Sequence, residues 1–145
     1  DRSRDKSVDR KRRANSKLER SRVETMNRIL LDTNVRVVAW RNPDIQLPEP
    51  KNVYKCIDSV TYIEFFQGAN TRQSAKAKSF LEDYEHIRLD GFICDKAIDL
   101  IEKYSHSEGL RLADALIAAT CLTLDLDLLT FNRRHFQKIA DLKLI

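Results

Sequence analysis

Ile29-Leu30-Leu31-Asp32-Thr33-Asn34-Val35 is the stretch on which the fold turns. Three apolar residues run directly into an acid, a hydroxyl and an amide, and a second apolar run, Val37 to Trp40, follows. A short continuous apolar run bounded by turn-formers suits a buried parallel strand, here Arg28 to Asp32, with the acid at its carboxyl end, where open α/β sheets bind ligands. The other physical reading gives Asp32 or Thr33 only the task of capping the next helix.

Working outward, Val35 to Trp40 suits a short helix. The connection Arg41 to Lys51 holds all three prolines, Pro43, Pro48 and Pro50, and reads as exposed. A second strand, Lys55 to Ser59, leads into a helical run, Val60 to Gln67, which Gly68 is expected to end as a left-handed cap. Glu64 is the one acid on that otherwise apolar turn. Thr71 to Tyr84 is amphipathic and reads as an outer helix. His86 to Asp90 is a third strand, closed by Gly91. Ile93 to His106 has helical spacing, with Ala97, Ile98, Ile101 and Tyr104 as the stripe and Gly109 as the break. Leu112 to Leu122 is small and apolar all round, so the helix there is expected to be central and buried, with Asp114 inside it. Leu126 to Thr130 is a fourth strand, Asn132 to Ile139 a short basic helix, and Leu142 to Ile145 a fifth strand. Strands alternating with helices predict an α/β domain with a mainly parallel sheet covered on both faces.

With 145 residues, 42% of them hydrophobic, the chain can bury one core without staples. Cys56, Cys94 and Cys121 lie far apart with no C-x-x-C spacing, so they read as buried, reduced thiols and not as a disulfide or zinc framework. The longest near-apolar run, Ala115 to Leu122, is too short to cross a bilayer, and the first residues show no apolar signal core; a cytoplasmic protein without membrane contact is expected. Residues 1–25 hold ten Lys/Arg against five Asp/Glu, so the tail carries +5 of the formal +4 and residues 26–145 carry −1. A basic segment with so few apolar residues is expected to be a disordered extension ahead of the folded domain, residues 26–145. Met26, directly before the first strand, would suit a natural start, which would leave residues 1–25 as an upstream extension.

Asp114 poses the chemical question, because an isolated carboxylate withdrawn from water is costly and needs a cation. Arg111, one turn earlier, would supply it as a structural ion pair. A divalent metal would supply it too, and would also call on Asp32 and Glu64, each set beside apolar residues near a strand's carboxyl end. Carboxylates with no histidine or cysteine beside them make an all-oxygen site that favours Mg²⁺ or Mn²⁺ over zinc, and Mg²⁺ pairs with phosphate oxygens. Leu128-Leu129-Thr130-Phe131-Asn132 repeats the first pattern, a strand running into a hydroxyl and an amide. Asn132 either bonds a metal-held water or caps the helix after it. Arg133, Arg134, His135 and Lys138 form a basic face that either contacts a phosphate backbone or is simply solvated. No second histidine is spaced with His135, which makes it a poor metal ligand.

Taken in order, Leu30-Leu31-Asp32-Thr33-Asn34-Val35, Glu64 before Gly68-Ala69, Leu112-Ala113-Asp114-Ala115-Leu116-Ile117-Ala118-Ala119-Thr120, and Leu128 to Phe136 resemble the PIN-domain family, specifically VapC-type toxins. The resemblance spans roughly residues 27 to 145. It implies a three-layer α/β/α sandwich, Mg²⁺- or Mn²⁺-dependent endoribonuclease activity, a VapB-type antitoxin as partner and a homodimer. Asp32, Glu64 and Asp114 match the family's acidic metal-binding positions, and Asn132 falls where many members place a fourth acid. Thr33, Asn34, Arg36, Thr130, Arg133 and Arg134 are the candidate substrate contacts. Arg36 departs from the apolar residues the family commonly carries there and is expected to face substrate or antitoxin. The chain has no Walker A loop and no G-x-G-x-x-G. Asn34 stands where a haloacid-dehalogenase-like phosphatase would need its second acid. The competing class is a noncatalytic RNA- or partner-binding domain whose acids serve structural ion pairs.

Overall fold

The computed structural model describes residues 27–145, so the expectations for the basic extension and for Met26 lie outside the described residues. Strand β1 (Arg28–Leu31) is followed by α1 (Thr33–Arg41), β2 (Tyr54–Asp58), α2 (Ser59–Gly68), α3 (Ser74–Glu82), β3 (Glu85–Ile87), α4 (Gly91–Glu108), α5 (Leu112–Leu124), β4 (Asp127–Leu129) and the short α6 (Arg133–Phe136). The four strands form one sheet in the order β3-β2-β1-β4, and every pairing is parallel.

Because successive strand residues point to opposite faces, the sheet divides the core in two. Leu30, Cys56 and Leu128 join the cluster packed by α4 and α5, together with Ile93, Ala97, Leu100, Ala115 and Ala118. Ile29, Leu31, Ile57 and Leu129 face the opposite way, onto Val35, Phe65, Ala77 and Leu81 of α1, α2 and α3. The result is three layers, helices on both faces of a sheet, as the alternating pattern predicts. Each fully buried aliphatic side chain contributes roughly 1.5–3 kcal/mol, and β1 is apolar on both faces because both are covered.

Several local expectations are corrected. Helix α2 runs through Gly68 and ends at Ala69, whose φ of −86° is not left-handed. Gly109 does cap α4 in the left-handed region, at φ 66°, where a side chain would be strained. Gly91 opens α4 instead of closing a strand, because Asp90 caps the helix by accepting the Ile93 amide at 2.9 Å. The expected fifth strand is a single parallel bridge, Leu144 to Leu128, after Asp141 turns the chain at φ 66°. The basic helix is one turn long and gains no cap bond from the Asn132 side chain. Ile98 is 64% exposed, lying off the buried side of α4, and Leu112 is 73% exposed at the start of α5, which is therefore not enclosed on every face. Cys94 is exposed, whereas Cys56 and Cys121 are buried as expected. Among the described residues no helix is long and apolar enough to cross a membrane.

Candidate active site

Neighbouring parallel strands end together, and this brings distant residues to one edge. Leu31 pairs with Leu129, so the next residues, Asp32 and Thr130, lie side by side. Thr130 Oγ1 donates to Asp32 Oδ2 at 2.7 Å, and the Thr33 amide donates to Asp32 Oδ1 at 2.7 Å. Asp32 is therefore both the cap of α1 and a carboxylate at the strand's end; the two readings of the sequence describe one side chain. Only 6% exposed, its carboxyl is pushed above the ordinary aspartate range by burial, against the two hydrogen bonds and with the help of the Asp114 and Glu64 charges. Electrostatic coupling to both acids shows that the three carboxylates share one neighbourhood.

Glu64 is brought in by α2. Thr33 Oγ1 donates to Glu64 Oε1 at 2.8 Å and lies 3.1 Å from Thr61 Oγ1, so a hydroxyl of α1 steers the acid of α2. Asp114 stands in the first turn of α5, and its Oδ2 lies 3.3 Å from His135 Nδ1 on α6. The side chain it meets is thus a histidine 21 residues later and not Arg111. Asp32, Thr33, Asn34, Glu64, Asp114 and Asn132 all line one cleft of about 330 Å³. Asn34 Oδ1 is buried in this region without a hydrogen-bond partner.

The remaining expected contacts do not open onto that cleft. Thr130 lies beneath it, 3% exposed, where it also accepts the Asn132 amide at 3.0 Å. Arg133 donates to the Ile145 carbonyl at 2.8 Å, Arg134 is exposed on the same turn, and Lys138 pairs with Glu108 at 3.2 Å. Arg36 is corrected outright. It is 1% exposed and points to the other side of α1, where it is bonded to Glu49 and to the Tyr84 hydroxyl. A buried guanidinium is tolerated only with such partners, so Arg36 fastens the proline-bearing connection to the core and cannot face substrate.

Asp58 is the residue that the sequence reading passed over. It ends β2, is fully buried, caps α2 through the Thr61 amide at 3.2 Å, and lies 3.0 Å from Thr120 Oγ1 on α5. The signal was available in Ile57-Asp58-Ser59, the same apolar-acid-hydroxyl sequence as Leu31-Asp32-Thr33.

As placed, no three His, Cys, Asp or Glu side chains among the described residues stand close enough to grip one ion directly, because Glu64 is turned to Thr33 and Asp114 to His135. The donor chemistry still fits a hard cation: three carboxylates and two amide side chains line the cleft, without sulfur. Mg²⁺ keeps several of its waters and usually touches only one or two carboxylates, so a loose acidic cleft suits it better than a closed cage.

The PIN domain family model matches residues 29–142. Among solved structures, the chain is similar to DNA-bound VapBC from Salmonella typhimurium at 21% identity, with a TM-score of 0.69 over 83% of this chain and 98% of that one. It is also similar to VapBC-1 from nontypeable Haemophilus influenzae (24% identity, TM-score 0.65, 81% and 96% covered). A toxin-antitoxin complex from Klebsiella pneumoniae gives 24% identity and a TM-score of 0.63, with 77% and 92% covered. At these identities the likeness is one of fold. No curated protein matches the chain.

Proposed function

Since the chain belongs to the PIN-domain family, we propose that it is a divalent-cation-dependent endoribonuclease, the toxin of a VapBC-type toxin-antitoxin pair acting in the cytoplasm. The observation that carries this reading is the convergence of Asp32, Glu64 and Asp114, from three different helices or their caps, on one cleft at the carboxyl edge of a parallel sheet. Asp32, Glu64 and Asp114 would hold Mg²⁺ or Mn²⁺, with Asn132 offering a neutral oxygen beside them. When bound there, such a cation supplies charge neutralisation for a phosphodiester and a water of lowered pKa.

The protein's own groups do the positioning. Thr130 and the Thr33 amide fix both oxygens of Asp32, and the Thr33 hydroxyl holds Glu64. Asn34 and Asn132 offer uncharged hydrogen-bonding groups to the substrate, and Arg134, exposed on α6 outside the cleft, would offer a positive charge to phosphates farther along the RNA. A VapB-type antitoxin is the proposed partner, because the structural neighbours carry the VapBC name, and a second copy of the chain is the proposed oligomeric partner.

Asp114 beside His135 favours one competing reading, a noncatalytic domain whose acids are structural. Incubating purified protein with RNA, with and without Mn²⁺, separates the two. The nuclease reading expects cation-dependent cleavage that Asp32→Asn abolishes. Full activity of that variant, or no cleavage and no cation-induced rise in unfolding temperature for the parent chain, overturns it.

A further inference from the structure

Asp58 raises a proton-counting problem. Thr120 Oγ1 lies 3.0 Å from Asp58 Oδ2 and also 2.8 Å from the Leu116 carbonyl oxygen. A threonine hydroxyl owns one proton, so with an ionised Asp58 both contacts would have to share it in a bent three-centre bond. A carboxylate and a backbone carbonyl bring none. A second proton on Asp58 Oδ2 gives each contact its own hydrogen: Asp58 donates to Thr120 Oγ1 while Thr120 donates to the Leu116 carbonyl. Asp58 Oδ1 still accepts the Thr61 amide. Among the described residues Asp58 forms no ion pair that would favour its anion.

We infer that Asp58 carries a proton in the folded protein in mildly acidic solution and in that form is a positioning residue, clamping α2, the bearer of Glu64, against α5, the bearer of Asp114. The titratable groups that act on it electrostatically are Asp32, whose charge opposes a second anion, and the buried thiol of Cys121. Burial, helped by the Asp32 charge, pushes the Asp58 carboxyl up to about 6, against the hydrogen bonds that favour its anion, from the Thr61 and Val60 amides and the Thr120 hydroxyl. The proton is held through mildly acidic solution and released toward neutrality. Release leaves one oxygen-oxygen contact without a hydrogen and places a second anion beside Asp32, which loosens the clamp from below the cleft.

Titrating the Asp58 carboxyl carbon by NMR in the wild-type chain is the direct test. A midpoint more than one pH unit above the ordinary aspartate value of about 3.9 is expected, and a midpoint at or below that value overturns the proposal. Unfolding temperatures of wild type and Asp58→Asn, compared from pH 4 to pH 8, give a second readout. The amide can accept from Thr61 and donate to Thr120, as the neutral acid does. A carboxyl raised on folding stabilises fully below its unfolded pKa and loses that contribution as pH rises through about 6. Wild type is therefore expected to lose ground to Asp58→Asn across that window, and a constant gap, or wild type gaining, overturns the inference. The positioning role rests on the nuclease reading. It expects Mn²⁺ affinity to fall about tenfold in Asp58→Ala and to recover in Asp58→Asn; equal impairment in both removes it. If the wild-type chain binds no Mn²⁺ and cleaves no RNA, the nuclease reading falls and the two titrations still decide the proton.

Discussion

Asp32 and Asp58 are the same device used twice. Each follows a parallel strand of the same sheet, caps the next helix with one carboxyl oxygen, and meets a threonine with the other. Their surroundings differ in what lies above. Asp32 opens onto a cleft shared with Glu64 and Asp114, while Asp58 is sealed under α2 and α5 with no access to solvent. A carboxylate beside two others and within reach of water can be neutralised by a cation. One shut inside a protein without a cation can be neutralised only by a proton, which burial helps it keep into mildly acidic solution. Local sequence makes the cap, and the layer above decides whether it becomes a ligand or a strut.

The largest way to break this contrast is Asp32→Asn. Residues that merely orient metal ligands typically cost 10- to 100-fold when lost, so removing a ligand charge is expected to lower cation-dependent RNA cleavage by about 100-fold or more. Stability without added cation should hold, because burial already disfavours the charge at this position. A thermal melt beside the cleavage assay checks both halves. Asp58→Ala should act first on folding: about 2 kcal/mol of stability lost with the cap and the Thr120 contact, read as a lower urea midpoint and recovered in Asp58→Asn, beside the smaller, about tenfold loss of Mn²⁺ affinity expected from the loosened clamp.

The threonine partners sharpen the distinction with smaller effects. Thr130→Val is expected to weaken Mn²⁺ binding about tenfold by freeing Asp32 to turn, measured by calorimetry, with little change in folding. Thr120→Val should cost about 1 kcal/mol of stability and weaken cation affinity by clearly less than Thr130→Val, because it loosens the clamp below the cleft and leaves Asp32 itself held. Equal effects of the two valines on cation binding would erase the difference between the two aspartates.

How much of this was legible in the sequence depended on distance along the chain. Asp32, Glu64 and Asp114 could be grouped because each sits where a parallel strand or the helix after it begins to face the sheet's carboxyl edge, a property of local pattern. The layers were legible for the same reason, from the alternation of apolar runs. Arg36 was misplaced because its partners, Glu49 and Tyr84, lie 13 and 48 residues away, and nothing beside it announces a buried charge. The His135 contact of Asp114 was hidden in the same way. Asp58 was different: its signal was local, but inclusion in a strand from Lys55 to Ser59 disguised a capping residue as part of a ladder.

Arg36 has a mechanical consequence for α1. Asp32 anchors the first amides of this helix to the sheet's edge, and one turn later Arg36 bolts the opposite side to Glu49 and Tyr84. A rod fixed on both flanks within its first turn has no hinge. Deuterium should therefore enter the amides of Val35 and Arg36, both bonded to the Asp32 carbonyl, only through global unfolding, while Ala69 to Gln73, past the end of α2, exchanges by local opening.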